Sequence, residues 1–326
     1  MPPAQTGPAA PAAPAAPAAP AAPAAPAAPA HKVQEIEEGV YAYLQPDGGW
    51  CLNNAGIIVA GAGPVLVDTA ATEARARHLR NVVGDISPTP VDILVNTHSH
   101  GDHTFGNHLF GHATVVAHRR AAAEMAEHGL ALTALWPDVR WGHVEAGAPE
   151  VVFDDRMTLP AAGFRIELLH LGPGHTAGDA VVWLPGQRVL FTGDLVFSGA
   201  TPFTLMGSVA GTLRVLDRLR ALEPMVVVPG HGPVGGPELL DADAGYLRWV
   251  RELARQGIAE KLAPLPLARA TDLGHYAQLL DSERLVGNLF RAYAEEHGAE
   301  PAAPLDVPAV FGEIVDYCGA PPHCAA

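Results

Sequence analysis

Between Thr97 and His103 the chain reads Thr-His-Ser-His-Gly-Asp-His, which crowds His98, His100, Asp102 and His103 into one short stretch. Imidazole and carboxylate donors at this spacing read as half of a two-metal centre. The Val91–Asn96 run before it is β-branched and, apart from Asp92, continuously apolar until Asn96, so the motif falls on the loop leaving a buried strand. On an extended loop His98 and His100 point the same way, because side chains repeat with period two. Gly101 is read as the place where the chain turns and carries Asp102 and His103 toward a second metal. A merely polar, His-rich loop is the alternative, and the position directly after a strand argues against it.

Three further candidates stand where other strands should end. They are His175 in Gly172-Pro173-Gly174-His175, Asp194 in Phe191-Thr192-Gly193-Asp194, and His231 in Pro229-Gly230-His231-Gly232. Each follows a β-rich run beside glycine, so each can occupy a tight loop at one sheet edge. Together the set supplies five histidines and two aspartates, enough for two divalent metals. Donors without thiolate suit zinc, and also iron or manganese. Paired metals can acidify water and polarise a carbonyl, which permits hydrolysis of an ester, thioester or lactam; the same Lewis acidity stabilises an enolate. The remaining histidines, among them His118, His128 and His170, are expected at the surface or in satisfied pockets, with His108 and His143 able to approach the cavity.

The elements that must position these residues are short. Val40–Leu44, Asn54–Val59 and Pro64–Asp68 read as an antiparallel meander broken by Gly, Pro and Asp turns. Thr72 can cap a helix that presents Arg75, Arg77 and Arg80 to solvent and ends near Gly84. A strand at Ala113–Ala117 and a helix at Arg119–His128 follow. Residues 129–150, with Leu130, Leu132, Leu135, Trp136, Val139 and Trp141, suggest a short helical lid or ordinary core packing. The second half repeats the outline: strands at Val151–Phe153, Phe164–Leu169, Ala180–Leu184 and Arg188–Phe191, a helix capped by Ser208 running through Leu222, and a strand at Met225–Val228. Helices are expected over Pro237–Glu260, Tyr276–His297 and Val307–Tyr317. Two meanders, each covered by helices, make an α+β fold with two sheets face to face and helices outside.

Composition sets the outer limits. With 326 residues, 48% of them hydrophobic, the chain can bury a sizeable core. A formal net charge of -15 argues against non-specific binding to nucleic acid or to anionic membranes. Three scattered cysteines, Cys51, Cys318 and Cys324, do not suggest a disulfide framework and fit a reducing cytosol. The first thirty residues hold no Lys or Arg and no apolar leader core, so export is not expected and a cytoplasmic location is. From Pro8 to Pro29 proline recurs every third residue, the period of a polyproline II rod. The expected organisation is therefore a disordered Pro/Ala-rich tail over 1–31, a domain over 32–250 and a helical extension over 251–326 packed on that domain.

The motif series resembles the metallo-β-lactamase superfamily over roughly residues 33–250, and the resemblance implies its four-layer αββα sandwich. Carried over by position, it implies His98, His100 and His175 on one metal, Asp102, His103 and His231 on the other, and Asp194 bridging the two, with Asp102 and Asp194 as the catalytic carboxylates. Asp68, ending its strand, either matches the family's Asp that steadies the ligands or is a plain turn residue. The commonest lactamase subclass places Cys where Asp194 stands. The stretches Gly48–Cys51, Leu130–Thr133, Leu135–Pro137, Thr201–Phe203, Gly207–Leu213 and Tyr246–Val250 are similar to the second/third-ring cyclases of bacterial type II aromatic polyketide pathways, of the actinorhodin-pathway type. That similarity implies ring closure of a polyketide, free or held on an acyl carrier protein, followed by thioester hydrolysis. It also implies a cavity with Trp50, Trp136, Trp141, Phe197, Phe203 and Met206 as candidate walls, though each alone is more often core than pocket. Carrier docking would call on Arg119, Arg120, Arg140, Arg248 and Arg251, which otherwise are solvated helix faces. A lactonase or glyoxalase-type thioesterase, and a non-catalytic metal or pigment binder, are the competing expectations. Oligomeric state is not readable.

Overall fold

The computed structural model describes residue 1 and residues 29–61, 63–161 and 163–326. The expectation of a disordered tail over 1–31 therefore lies almost entirely outside the described residues.

One sheet takes its strands in chain order: β1 (Lys32–Glu37), β2 (Val40–Leu44), β3 (Ala55–Ala60), β4 (Gly63–Val67), β5 (Ile93–Asn96), β6 (Thr114–His118) and β7 (Val151–Phe153). The other, from edge to edge, holds β12 (Val226–Val228), β11 (Val189–Phe191), β10 (Val181–Leu184), β9 (Phe164–Leu169) and β8 (Arg156–Ala161). The meander expected at the start is present, since β1 to β4 pair antiparallel. From β4 to β7, however, and again between β11 and β12, the pairing is parallel. Parallel neighbours need a crossover, and helices α1 (Glu73–Ile86), α3 (Arg119–His128) and α4 (Val209–Arg220) lie in those connections. A four-residue helix, α2 (Gly101–Thr104), carries the end of the histidine motif. The two strands that the sequence pattern did not announce, β1 and β8, are outer strands of their sheets and alternate exposed with less exposed residues, Leu159 of β8 alone being buried. An edge strand needs less apolar bulk than a central one.

Side-chain alternation builds the layers. Val65 and Val67 face the other sheet and join one core with Val182, Leu184 and Phe191, whereas Leu66 between them packs outward with Leu79 and Val83 of α1. On the far side Val181 and Trp183 pack with Leu213 and Leu216 of α4. The result is the expected four-layer αββα sandwich. Beyond it, α5 (Glu238–Ala259), α6 (Pro264–Ala270), α7 (Arg284–Glu296) and α8 (Val307–Cys318) follow, α7 packing on both α5 and α8.

Four local readings are corrected. Arg75 turns inward from α1, where it donates to Gln45 Oε1 at 3.0 Å and to the Ala325 carbonyl at 2.6 Å. The helix expected from Tyr276 begins only at Arg284, because Leu280 bonds with backbone at Gly199 and Thr201 and Asp281 adopts φ 55°. Over 129–150 the chain forms one short 3-10 turn, Ala131–Leu135, and otherwise runs as loop. Gly101 is not held in the left-handed region; glycine is required because a Cβ would strike the Phe105 ring.

Candidate metal centre

Strand ends deliver the site to one edge of the sandwich. Asp68 follows β4, His98 and His100 follow β5, His175 follows β9, Asp194 follows β11 and His231 follows β12. The donor atoms of His98, His100, His175 and Asp194 lie within 4.8 Å of one another, and those of Asp102, His103 and His231 do likewise. Asp194 stands between the two groups: its Oδ1 is 3.1 Å from His103 Nε2, and its Oδ2 is 3.4 Å from His175 Nε2 and 3.5 Å from His231 Nε2. Gly230 is glycine because a side chain there would overlap the Asp194 carboxylate.

Hydrogen bonds on the far side of the rings settle which nitrogen faces inward. His175 Nδ1 donates to the Phe203 carbonyl at 2.5 Å, and His231 Nδ1 to the Gly48 and Gly49 carbonyls at 3.1 Å. Asp68 does this for two rings at once. It accepts from His103 Nδ1 at 2.8 Å and from the Thr97 hydroxyl at 2.7 Å, and that hydroxyl in turn accepts from His98 Nδ1 at 3.0 Å. Each of these four imidazoles thus turns Nε2 toward the centre, the arrangement in which a partner across the ring orients a ligating histidine. His100 is reversed, with Nδ1 only 2.8 Å from His175 Nε2.

The group fits two divalent metals. His98 Nε2, His103 Nε2 and Asp194 Oδ1 are buried without hydrogen-bond partners among the described residues, although such atoms normally find one. Electrostatics agree. Burial, with His103 beside it, holds His98 well below the ordinary imidazole range. Burial is the largest single influence on His103 and His231 and opposes their charge, but the carboxylates together outweigh it, Asp194 with Asp68 and Asp102 raising the first well above the ordinary value and Asp194 with Asp102 raising the second to about 9. Asp194 itself is held well below the carboxylate range, since His231, His103 and His175 overcome its burial. Two carboxylates facing five imidazoles form a site that attracts cations.

Supporting residues absent from the sequence reading carry much of this geometry. Asn54 Nδ2 donates to the Pro229 and Gly232 carbonyls and so shapes the His231 loop. Asp179 accepts from Gly174 N, Thr176 N and the Thr176 hydroxyl around His175. Glu124 ties Ser99 to Ala177. One face of α7 grips the segment that holds His175: Arg284 donates to Thr201 O, Asn288 to Pro202 O, and Arg291 to Leu205 O, while Thr204 N donates to Asn288 Oδ1. Only the 3–4 residue spacing of these polar residues hinted at a shared face.

A cavity of about 480 Å³ opens beside the centre, reached by His100, Asp102, His175, Asp194 and His231. Trp50, Trp136, Phe197, Phe203 and Met206 line it, joined by Cys51, Arg284 and by Val307 and Phe311 of α8. Trp141 does not. It packs edge-on against Phe105, donates Nε1 to the Trp136 carbonyl at 3.2 Å and accepts from Glu73 N at 2.9 Å, so it fastens the loop to α1. His108 and His143 face each other at 5.1 Å away from the cavity lining. Trp136 is fixed by donating Nε1 to the Pro322 carbonyl at 2.8 Å, so the end of the chain closes over this wall. Of the rim arginines, Arg119 pairs with Asp154, Arg248 with Asp217 and Arg251 with Glu296, while Arg120 and Arg140 are exposed. No described helix is long and apolar enough to cross a membrane.

Comparison with known proteins places this edge-of-sheet centre among relatives. The family model described as "Metallo-beta-lactamase superfamily" matches residues 48–231. A type 2 metallo-beta-lactamase of Bacteroides fragilis is 28% identical over 222 residues, covering 64% of this chain and 82% of that protein. An acyl-coenzyme A thioesterase of Bos taurus, MBLAC2, is 28% identical over 167 residues, covering 45% of this chain and 58% of that protein. A metallo-beta-lactamase structure from Pontibacter korlensis superposes with a TM-score of 0.56 at 26% identity, covering 67% of this chain and 99% of the other.

Proposed function

The chain belongs to the metallo-β-lactamase superfamily, and from that premise we propose that it is a dinuclear-metal enzyme, with zinc the first choice, that closes the second/third ring of an aromatic polyketide and releases the product from an acyl carrier protein by thioester hydrolysis. The observation carrying this reading is the ring-lined cavity joined directly to the two donor clusters. His98, His100 and His175 would hold one metal, Asp102, His103 and His231 the other, and Asp194 both. Metals held there supply Lewis acidity to a carbonyl oxygen and acidify water. Everything else falls to the protein.

Asp68 and Thr97 keep His98 and His103 in the donor tautomer, and the Phe203 carbonyl does so for His175. Trp50, Phe203 and Phe311 stand with ring centroids 5.2–6.2 Å apart, giving a flat substrate apolar faces and excluding water from a reactive poly-ketone chain. Asp102 borders the cavity with its carboxylate held at about 2, because His103 and His231 overcome its burial. It therefore stays ionised, as a metal-holding carboxylate must. The family match covers residues 48–231, whereas part of the cavity wall comes from α7 and α8 beyond it, which is where a substrate bulkier than a small thioester would be accommodated.

The test is incubation with a carrier-bound bicyclic polyketide and mass spectrometry of the products; neither ring closure nor release would overturn the reading. The similarity to an acyl-coenzyme A thioesterase favours one second reading, a thioester hydrolase without cyclase activity. Turnover of simple lactones or glutathione thioesters, with none of the polyketide thioester, would select that class.

A further inference from the structure

Among the rings of the cavity sits one cation. Arg284, at the start of α7, is 2% exposed and lines the cavity. Its guanidinium carbon lies 4.2 Å from the centroid of Trp50 and 5.1 Å from that of Phe197. Two of its nitrogens are engaged: Nη1 donates to the Thr201 carbonyl at 2.9 Å, and Nη2 is 2.8 Å from Asp281 Oδ2. Nε is buried without a partner among the described residues.

A buried guanidinium is costly to desolvate, and a buried donor with no acceptor adds to that cost. Bracing Thr201 takes Nη1 and the Asp281 carboxylate pairs with the charge through Nη2, so these duties leave the Nε–H without a role. Arginine is the residue suited to accepting planar oxygen groups while stacking on aromatic faces. The Phe197 ring that flanks the guanidinium also stacks on His231, with centroids 5.4 Å apart at 16°. One ring layer thus separates the cation from the metal centre.

We propose that Arg284 is the ligand-recognition residue of this cavity, and that the ligand is a flat, fused-ring aromatic carrying an anionic oxygen that accepts from Arg284 Nε while its rings lie against the aromatic wall. A second oxygenated position one ring away reaches the metal centre. The inference deepens the proposed function and rests on it for the ring system; the Arg284 contact itself does not depend on turnover.

The test uses metal-stripped protein, so that neither metal nor chemistry enters. Binding of 3-hydroxy-2-naphthoate and of its neutral carboxamide is measured by calorimetry. The carboxylate is expected to bind about tenfold or more tightly than the amide. That preference disappears in the double variant Arg284→Gln/Asp281→Asn, which removes both charges and leaves no unpaired buried carboxylate, so that carboxylate and amide bind it alike. Equal binding of both probes to the parent protein overturns the proposal, as does a preference that survives the double variant, which would place the anion on the histidine cluster. If the double variant does not fold, Arg284→Lys decides: it keeps the charge but has no Nε–H in that position, and an unchanged preference refutes the assignment. A retained probe preference with no turnover of polyketide thioester would sink the functional reading and leave the recognition residue standing.

Discussion

Replacing Asn288 by Ala should weaken metal binding from outside the family-matched region. Asn288 is fully buried on α7 and makes three close bonds to the 201–205 segment: Nδ2 to Pro202 O at 2.7 Å, and Oδ1 from Thr204 N at 2.8 Å and from the Thr204 hydroxyl at 3.0 Å. That segment carries the Phe203 carbonyl, which holds His175 Nδ1 at 2.5 Å. Truncation orphans a buried carbonyl and a buried N–H, at about 1–3 kcal/mol each, so stability should fall by about 2–6 kcal/mol. A metal ligand that loses the group orienting it usually costs about 10- to 100-fold in affinity. Here the orienting carbonyl is loosened and not removed, so about tenfold is expected. Urea denaturation reads the first quantity, and competition of the metal-stripped protein with a chromophoric chelator for Zn²⁺ reads the second. Leu79→Ala on α1 is the control, because it empties part of the opposite helix–sheet core at a comparable cost of about 2–5 kcal/mol without touching the site. If both variants lose stability and both bind zinc as the parent does, the idea that α7 orients His175 is refuted.

Further outcomes follow from the same geometry. Asp68→Asn presents an amide hydrogen to donors that need an acceptor, so zinc affinity should fall about 10- to 100-fold with the fold retained, checked by the same competition. Burial holds the Asp243 carboxyl well above the usual range, and Phe197 N donates to it at 2.8 Å. A raised folded pKa means that the folded state binds the extra proton, so this contribution is complete below the ordinary aspartate pKa and is lost as pH rises toward the folded value. Asp243→Asn keeps the acceptor oxygen without titrating, and its Tm relative to the parent should climb as pH rises above about 4; parallel Tm curves would falsify this. Removal of metal by chelation, or Asp194→Ala, should abolish turnover while circular dichroism shows the sandwich intact; full activity in metal-free protein would rule out metal assistance.

The candidate donors were legible because their spacing is local. His98, His100, Asp102 and His103 lie within six residues, on a loop and the first turn of α2, and period-two geometry after a strand is enough to aim the first pair. His175, Asp194 and His231 were visible as polar residues beside glycine at strand ends, a pattern that needs no knowledge of which strands pair. Edge strands β1 and β8 were not legible, since half-exposed strands lack the apolar run that marks central ones. Arg75 looked like a solvent-facing helix residue, because helical spacing gives a face but not what docks on it; the Ala325 carbonyl that it holds comes from the far end of the chain. Trp141 looked like Trp136 in composition, yet one lines the cavity and the other fastens a loop to α1.

What the sequence by itself supplied, then, was the set of candidate donors, the strand-and-helix alternation and the net negative charge, all of which depend on residue type and short spacing. Tertiary structure alone decided which ring nitrogen each histidine presents, that Asp68 serves two histidines through Thr97, and that α7 and α8 complete the cavity and place Arg284 in it. Those features join groups as much as 183 residues apart, as in the His231 to Gly48 bond. Contacts of that range are fixed by packing of whole layers, and no local periodicity encodes them.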